Sequence, residues 1–566
     1  YGINFSSNWQ VSTRNRNVKD TKSEDVSREP EQVRAFRDTW KHGIHSYLSY
    51  LRDRFTACRD LLSDSGAIFV QIGEENVHRM RSVLDEIFGS DNFVSQIWFR
   101  KKTMPLGTKY LEQMGDYILF YAKNREKLKY RELKKYANVE GDNHWNVAVF
   151  DGGVTRKMSS AEVDAHALVG EDFDPAQLVS MSPIGYSSGR DFPVQLGGKT
   201  FRPPRGKCWK TDDEGMRRLY EAGRLVSYED GERLRYLLRL SDYPVTPLTA
   251  TWGDTSAPTN MRYVVETSPK PVQRCILMTT DPGDIVLDPT CGSGTTAFIA
   301  EQWGRRWIAI DTSRVALALA RARLMGARYP YYLLKDSGLG LKKMEELGEK
   351  PSENVKCTGD IRYGFLYENA PHVTLKAIAD NAEIDVIYQN WNEKVQAALD
   401  ELNQELGENF DDWQVPFYLS ENATEAAAAA HERFWNARQQ RQRDIDNSIW
   451  RLAPREPLYD RPYEHNALVR VSGPFTFETL SPHNAATPEE YELVHEFEGN
   501  TRASSAKRRG YEEVQRPDFY EVVTEHLRRA GVQQSSKEER IEFTSLTPWP
   551  GDMIAADGRF MEGETE

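Results

Sequence analysis

Apolar positions recur with helical spacing soon after a polar opening. Residues 8–34 are polar and charged with no apolar period and read as a loop. Trp40, Ile44, Tyr47, Leu48, Leu51, Phe55, Cys58, Leu61 and Leu62 then share one face at 3.6-residue spacing, which predicts an amphipathic helix. Ser65-Gly66 stops it, and the apolar run Ala67 to Ile72 suits a buried strand. Val77, Met80, Leu84 and Ile87 restore the helical period over 74–88, up to Gly89. Phe93 to Phe99 and Tyr117 to Ala122 read as further strands. From about 137 to 250 no period dominates. Gly152-Gly153, Gly197-Gly198 and Pro203-Pro204 punctuate short runs there, the pattern of an inserted module of short strands and loops. Alternation resumes with a helix around 270–280, a strand at 284–288, a helix at 294–303, a strand at 306–310 and a helix at 313–325. That order predicts an α/β domain with a mostly parallel sheet. After about 340 the chain is acidic and irregular, apart from a long helix from Thr424 to Ile449 and a strand-and-turn section starting at Arg470.

Composition narrows the class. At roughly 150 residues per domain, 566 residues predict three or four domains. No apolar run approaches the roughly 20 residues that a membrane helix needs. An aromatic content of 11% argues against wholesale disorder. Cys58, Cys208, Cys275, Cys291 and Cys357 are scattered with no C-x-x-C, which fits a reducing compartment better than a disulfide framework or a zinc cluster.

The net charge of -13 conceals a division. Residues 95–136 hold 11 Lys and Arg against 4 Asp and Glu, including Arg100, Lys101 and Lys102. Residues 186–240 hold 12 against 8, interleaved with aromatic residues, and 341–425 reverse the balance with 18 acids to 7 bases. A basic stripe with aromatics is the footprint of a phosphate-backbone partner, and a solvated helical face is the plainer reading of the same composition.

The strongest local signal runs from Asp284 to Thr296. A hydrophobic strand ends at Asp288, followed by Pro289-Thr290-Cys291-Gly292-Ser293-Gly294-Thr295-Thr296, and Asp311 closes the next strand. Glycines let the backbone turn tightly and approach a ligand, and the helix start presents free N–H groups. An acid ending the second strand can accept hydrogen bonds from ribose hydroxyls. A phosphate-cradling loop would need a lysine where Thr295 stands, and a dinucleotide fingerprint would need glycine where Ala297 stands. Asp288 would repel a pyrophosphate but suits a ligand with a cationic amine. S-adenosylmethionine has that amine, a ribose and no phosphate. A tight strand-to-helix turn without a ligand is the other reading.

These residues resemble motif I of the amino-group DNA methyltransferases, Asp-Pro-x-x-Gly-Ser-Gly-Thr-Thr. Ser268 to Ile276 is similar to the family's helix that precedes motif I and helps cover the cofactor. Gly66 to Gly89 resembles the strand and helix after its catalytic motif, and Met114 to Lys123 resembles a later strand. With the catalytic half first, a variable insert next and the cofactor half last, the order is similar to the beta arrangement shared by modification subunits of type III restriction-modification systems. The chain's start, Tyr1-Gly2-Ile3-Asn4-Phe5, resembles the residues following Asp-Pro-Pro in the family's motif IV. The resemblance implies that Tyr1 is that motif's aromatic, that the preceding triplet lies upstream, and that the chain as given is an N-terminally truncated piece holding the cofactor pocket without its principal acceptor. An aromatic at Tyr1 would stack on a flipped base, with Phe5 or Trp9 as a second wall or, more simply, as packing residues.

The resemblance therefore implies a Rossmann-like α/β methyltransferase sheet with a target-recognition insert and a C-terminal α+β extension. Residues 1–136 would form the catalytic half, 137–250 the insert, 251–340 the adenosylmethionine-binding half and 341–566 an acidic extension. The implied reaction is methylation of adenine N6 in DNA, with cytosine N4 and a non-catalytic DNA-binding subunit as alternatives. The cofactor contacts fall on Asp288, Pro289, Cys291, Gly292, Gly294, Thr295 and Asp311. Arg205, Lys207 and Trp209, in the insert, join Phe5, Arg100, Lys101 and Lys102 as candidate DNA contacts. Double-stranded DNA, a restriction subunit and a second copy of the chain are the implied partners, with no membrane, in a prokaryotic cytoplasm. His42 and His45 share a helix face without a carboxylate to complete a metal set, so no metal is expected.

Overall fold

A computed structural model describes residues 44–478 except 106, 108, 166–172, 229–232, 257–265, 312, 350–356 and 420–422, together with 528, 532–533, 540–541, 543–548 and 556–560. Helix α1 (Ile44–Leu61) buries Tyr47, Leu51 and Phe55 against Val70 and Ile72 of β1 (Ala67–Ile72) and Met80 and Leu84 of α2 (Val77–Phe88). β2 (Phe93–Arg100) and β3 (Gly115–Ala122) follow. Both β1 and β2 run antiparallel to β3, which lies between them.

The insert is more regular than its sequence suggests. β4 (Lys134–Tyr136) leads into it, and it contains β5 (Val147–Val149), β6 (Thr155–Lys157), α3 (Ser160–Ala165), β7 (Asp174–Ser180), β8 (Val194–Leu196) and β9 (Lys199–Phe201). There follow α4 (Asp213–Glu221), β10 (Leu225–Tyr228), β11 (Arg233–Arg239) and β12 (Val245–Pro247). Five of these strands form an antiparallel sheet in the order β10-β11-β7-β5-β6. α4 starts at Asp213 because the Asp212 carboxylate accepts from the Gly215 N–H at 2.9 Å and caps it.

β13 (Thr251–Trp252) returns to pair in parallel with β2. Then come α5 (Pro269–Thr279), β14 (Ile285–Asp288), α6 (Thr295–Gln302), β15 (Arg306–Ala309) and α7 (Arg314–Met325), each within a few residues of its predicted place. β14 and β15 are parallel, as the pattern predicts, and form a ladder separate from that of β1, β3, β2 and β13 among the described residues. Among the described residues β1 bonds only to β3, and β14 only to β15. What unites them is a common core, in which Ile276, Ile299 and Trp303 meet Ile97, Phe120 and Trp252, with Phe69, Val286 and Trp307 packed against it.

Lys129 sets the relative position of the two sheets. Its backbone N–H donates to Ser65 O (3.1 Å), just before β1, while its ammonium reaches Asp284 (2.6 Å), just before β14. Arg131 adds an ion pair to Asp281.

The acidic stretch is not irregular. β16 (Tyr329–Tyr332), α8 (Gly338–Glu346), β17 (Tyr367–Pro371) and α9 (Leu375–Ala379) precede two long helices, α10 (Glu383–Leu406) and α11 (Glu425–Leu452). β18 (Arg455–Pro462) pairs with β17 and β19 (Glu464–Arg470) with β16. The strand expected to start at Arg470 instead ends there, where the guanidinium meets Glu301. The chain divides into two compact units after Gly473. In the second unit, β20 (Val532–Gln533) pairs with β21 (Arg540–Ile541) and β22 (Phe543–Pro548) with β23 (Ala556–Phe560). No helix among the described residues is long and apolar enough to cross a membrane.

A buried ionic cluster joins α11 to the insert. Arg224 lies 2.9 Å from Asp242 and 3.4 Å from Asp446 of α11, and Arg239 lies 3.0 Å from Asp446. Asp174 of β7 adds a third carboxylate to the field at Asp242. Arg224 favours the ionised form of Asp242, but burial outweighs it, and Asp174 and Asp446 oppose it too, pushing the carboxyl up to about 7. An unfolded aspartate titrates near ~4. Between these values the folded chain holds more protons than the unfolded one, so stability is greatest below the unfolded value and is lost as pH rises through about 7. Urea unfolding should therefore give a lower midpoint at pH 8 than at pH 6, and Asp242→Asn should narrow that difference.

Candidate functional site

The turn after β14 is held from both sides. Cys291 N–H donates to Ile310 O (2.9 Å) and Gly294 N–H to Cys291 O (2.8 Å). Gly292 and Gly294 have φ of 51° and 77°, a region open to glycine without steric cost. A Cβ at Gly294 would stand 2.8 Å from the Cβ of Ala320, so the glycine also lets α6 close on α7.

Two carboxylates converge on this turn. Asp288 accepts from Thr290 N–H (3.0 Å) and from the Thr296 hydroxyl (2.6 Å). Asp311 accepts from Gly292 N–H (2.8 Å) through one oxygen and from Ser313 N–H (2.8 Å) through the other. Among the described residues neither forms an ion pair with a lysine or arginine. Burial raises the Asp288 carboxyl above the usual range, and the Asp311 charge adds to that despite the bonds from Thr290 and Thr296. Cys291 faces the same field. Burial first, then Asp288 and Asp311, push its thiol up to about 12, which leaves it protonated and unsuited to act as a nucleophile.

The site has a second wall that sequence reasoning missed. Gln71, near the end of β1, accepts from the Thr267 hydroxyl (2.7 Å). Next to it, Glu266 pairs with Arg323 of α7 (3.0 Å), and the same guanidinium reaches Thr295 Oγ1 (3.0 Å). The segment leading into α5 thus ties the carboxyl end of β1 to the glycine turn after β14. Cys58 of α1 also feels the Asp288 charge. The only sequence signal for this wall was its place directly before the proline-led helix start at Pro269.

The carboxyl ends of strands from both sheets therefore share one mouth, the usual ligand position in α/β folds. The donor set suits a ligand with hydroxyls and a cationic group. Each carboxylate oxygen keeps lone-pair capacity after its bonds within the turn, and two neighbouring acids without a cation disfavour a phosphate. S-adenosylmethionine, with a ribose diol and an ammonium, fits that donor set.

The other candidate residues are placed differently. Tyr1 and Phe5 lie outside the described residues, as does His42; His45 is exposed. Lys101 pairs with Asp116 and Lys102 with Glu112, each at 2.9 Å across the β2–β3 hairpin, and Arg100 donates to Thr255 O. Arg205 and Lys207 are exposed on a turn, whereas the Trp209 ring is buried and its indole N–H donates to Phe192 O (2.9 Å). Pro289 is half-buried and Thr295 buried beside the turn.

Gly294→Ala tests the turn. A left-handed conformation costs a non-glycine residue about 1–2 kcal/mol, and the contact with Ala320 adds to it. Urea unfolding should show a loss of at least about that size, which the compensating pair Gly294→Ala with Ala320→Gly should recover in part.

A family model described as "DNA methylase" matches residues 20–322. The type II methyltransferase M.EcaI of Enterobacter cloacae is 28% identical over 293 residues, covering 50% of this chain and 59% of that protein. The probable type III restriction-modification enzyme HindVI Mod subunit of Haemophilus influenzae is 23% identical over 342 residues, covering 51% of this chain and 45% of that one. The chain thus spans about half the length of these curated relatives. Among solved structures, the M1.HpyAVI–SAM complex aligns with 48% of this chain and 80% of its own, at 14% identity and a TM-score of 0.24.

Proposed function

The chain belongs to the DNA methylase family, and on that premise we propose that it moves a methyl group from S-adenosylmethionine to the exocyclic N6 of an adenine flipped out of duplex DNA. The observation that carries this reading is the pair Asp288 and Asp311 on the glycine turn, without a cationic partner among the described residues. S-adenosylmethionine, when bound, supplies a methyl group on a sulfonium, activated for attack by an amine. Asp311 would accept the ribose hydroxyls, and Asp288 would lie toward the ammonium. Pro289, Cys291, Gly292, Gly294 and Thr295 would line the turn against the ligand.

An exocyclic base amine is a poor nucleophile because its lone pair is delocalised into the ring. The task is then to align that nitrogen with the methyl, chiefly a positioning effect. Tyr1 would stack on the flipped base, with Phe5 close by. The resemblance of Tyr1-Gly2 with Phe5 to the type III modification pattern supports adenine over cytosine N4. A restriction subunit as partner is supported by the likeness to a type III Mod subunit; a second copy of the chain and a prokaryotic cytoplasm complete the proposal.

Tritium transfer from labelled S-adenosylmethionine to duplex DNA by the full-length protein, followed by nucleoside digestion, checks the reaction. N6-methyladenine is the expected product. N4-methylcytosine would replace the adenine reading, and DNA binding with no transfer would favour a non-catalytic subunit. By calorimetry, Asp311→Ala should weaken cofactor binding by about 10- to 100-fold, the size of a lost hydrogen bond to a charged group.

A further inference from the structure

Ile184 is fully exposed at the tip of a loop in the insert, at 101% of its reference area. A single exposed apolar side chain is ordinary; the surroundings of this one are not. The loop is pinned at its base by two buried residues, Cys208 and Trp209. The Cys208 sulfur accepts from Ser187 N–H (3.2 Å) and donates to Gly185 O (3.7 Å). Trp209 N–H donates to Arg190 O (2.8 Å), its indole N–H to Phe192 O (2.9 Å), and Lys210 N–H to Met181 O (3.0 Å). Ile184 is thus held out on a braced loop.

A second loop rises from the same anchor. Lys207 N–H donates to Pro204 O (2.9 Å), closing a tight turn that presents Arg205 and Lys207, with Gly206 at φ 76°. Over 182–207 the bases are Arg190, Lys199, Arg202, Arg205 and Lys207, all exposed. The one acid, Asp191, accepts from the Tyr186 hydroxyl (3.1 Å). Among the described residues none of the five bases forms an ion pair, in contrast to Lys101 and Lys102.

We infer that the loops 182–191 and 202–207 form the face on which duplex DNA rests, with Ile184 the side chain that enters the groove. The unpaired cations match a phosphate backbone in sign. An apolar side chain held among them matches the other part of a duplex surface, thymine methyl groups and base steps open to an apolar wedge. The inference rests on the DNA-methylase reading and adds to it a specificity-determining residue.

The test uses the full chain carrying Ile184→Cys and a fluorescein-labelled, mixed-sequence duplex, with binding followed by anisotropy and thiol reactivity by iodoacetamide labelling and mass spectrometry. Cys357, the exposed native cysteine, is the internal reference. With duplex bound, alkylation of the introduced thiol should slow by about tenfold or more, since reactivity follows exposure, while Cys357 is unchanged. Arg205→Gln with Lys207→Gln should weaken binding and lower its salt slope by about two, whereas Ile184→Ala should weaken binding with the slope unchanged. Binding without protection of the introduced thiol would overturn this inference and leave the methylase reading intact. A failure of the wild-type chain to bind any duplex would overturn both.

Discussion

The candidate site depends on a clamp made far from it. Among the described residues, β1 and β14 share no hydrogen-bonded ladder, so their register rests on the common core and on the groups that tie the strand ends. Lys129 ties the beginnings of both strands, one through its backbone and the other through its ammonium. Neighbouring Asp281 and Asp284 raise the lysine's affinity for its proton against the effect of burial, which keeps the charge in place. Thr267 and Glu266 tie the other ends. Fixing both ends brings the glycine turn and the end of β1 to a common mouth.

Each wall of that mouth has a different electrostatic solution. Cations on the framework are neutralised by adjacent acids, as at Lys101, Lys102 and Lys129. Asp288 and Asp311 are left to hydrogen bonds from the chain's own turn. Hydrogen bonds from the turn fix each carboxylate in place while leaving lone pairs that can face a ligand. The cations of the insert loops are likewise left unneutralised, so acids and bases stand unpaired at different places on one unit.

The glycine turn was legible because its constraints are local. Asp288, Gly292, Gly294 and Asp311 lie within one strand-turn-helix-strand unit, and residue type alone limits what such a unit can do. The wall formed by Gln71 and Thr267 was not legible, since the partners lie 196 residues apart and neither type is distinctive. Helix α10 was missed because its buried residues, Ile384, Val395, Leu399 and Leu402, form a narrow stripe in an acidic sequence. The basic run 100–102 pointed by composition toward phosphate, but composition could not show Glu112 and Asp116 folding back across the hairpin. Trp209 misled in the opposite way, as an aromatic among bases that fills the insert's core. The two-sheet arrangement was hidden because the period of a strand does not name its neighbour.

Helix α11 carries a mechanical consequence. Its 28 residues make a rod about 42 Å long at 1.5 Å per residue. Along that rod, Trp435 lies against Gly152, Gln442 donates to Ala222 O (3.1 Å), and Asp446 engages Arg224 and Arg239. Attachments spread along a stiff member resist twisting as well as separation. The insert and α11 are therefore braced along much of the helix rather than at a single point.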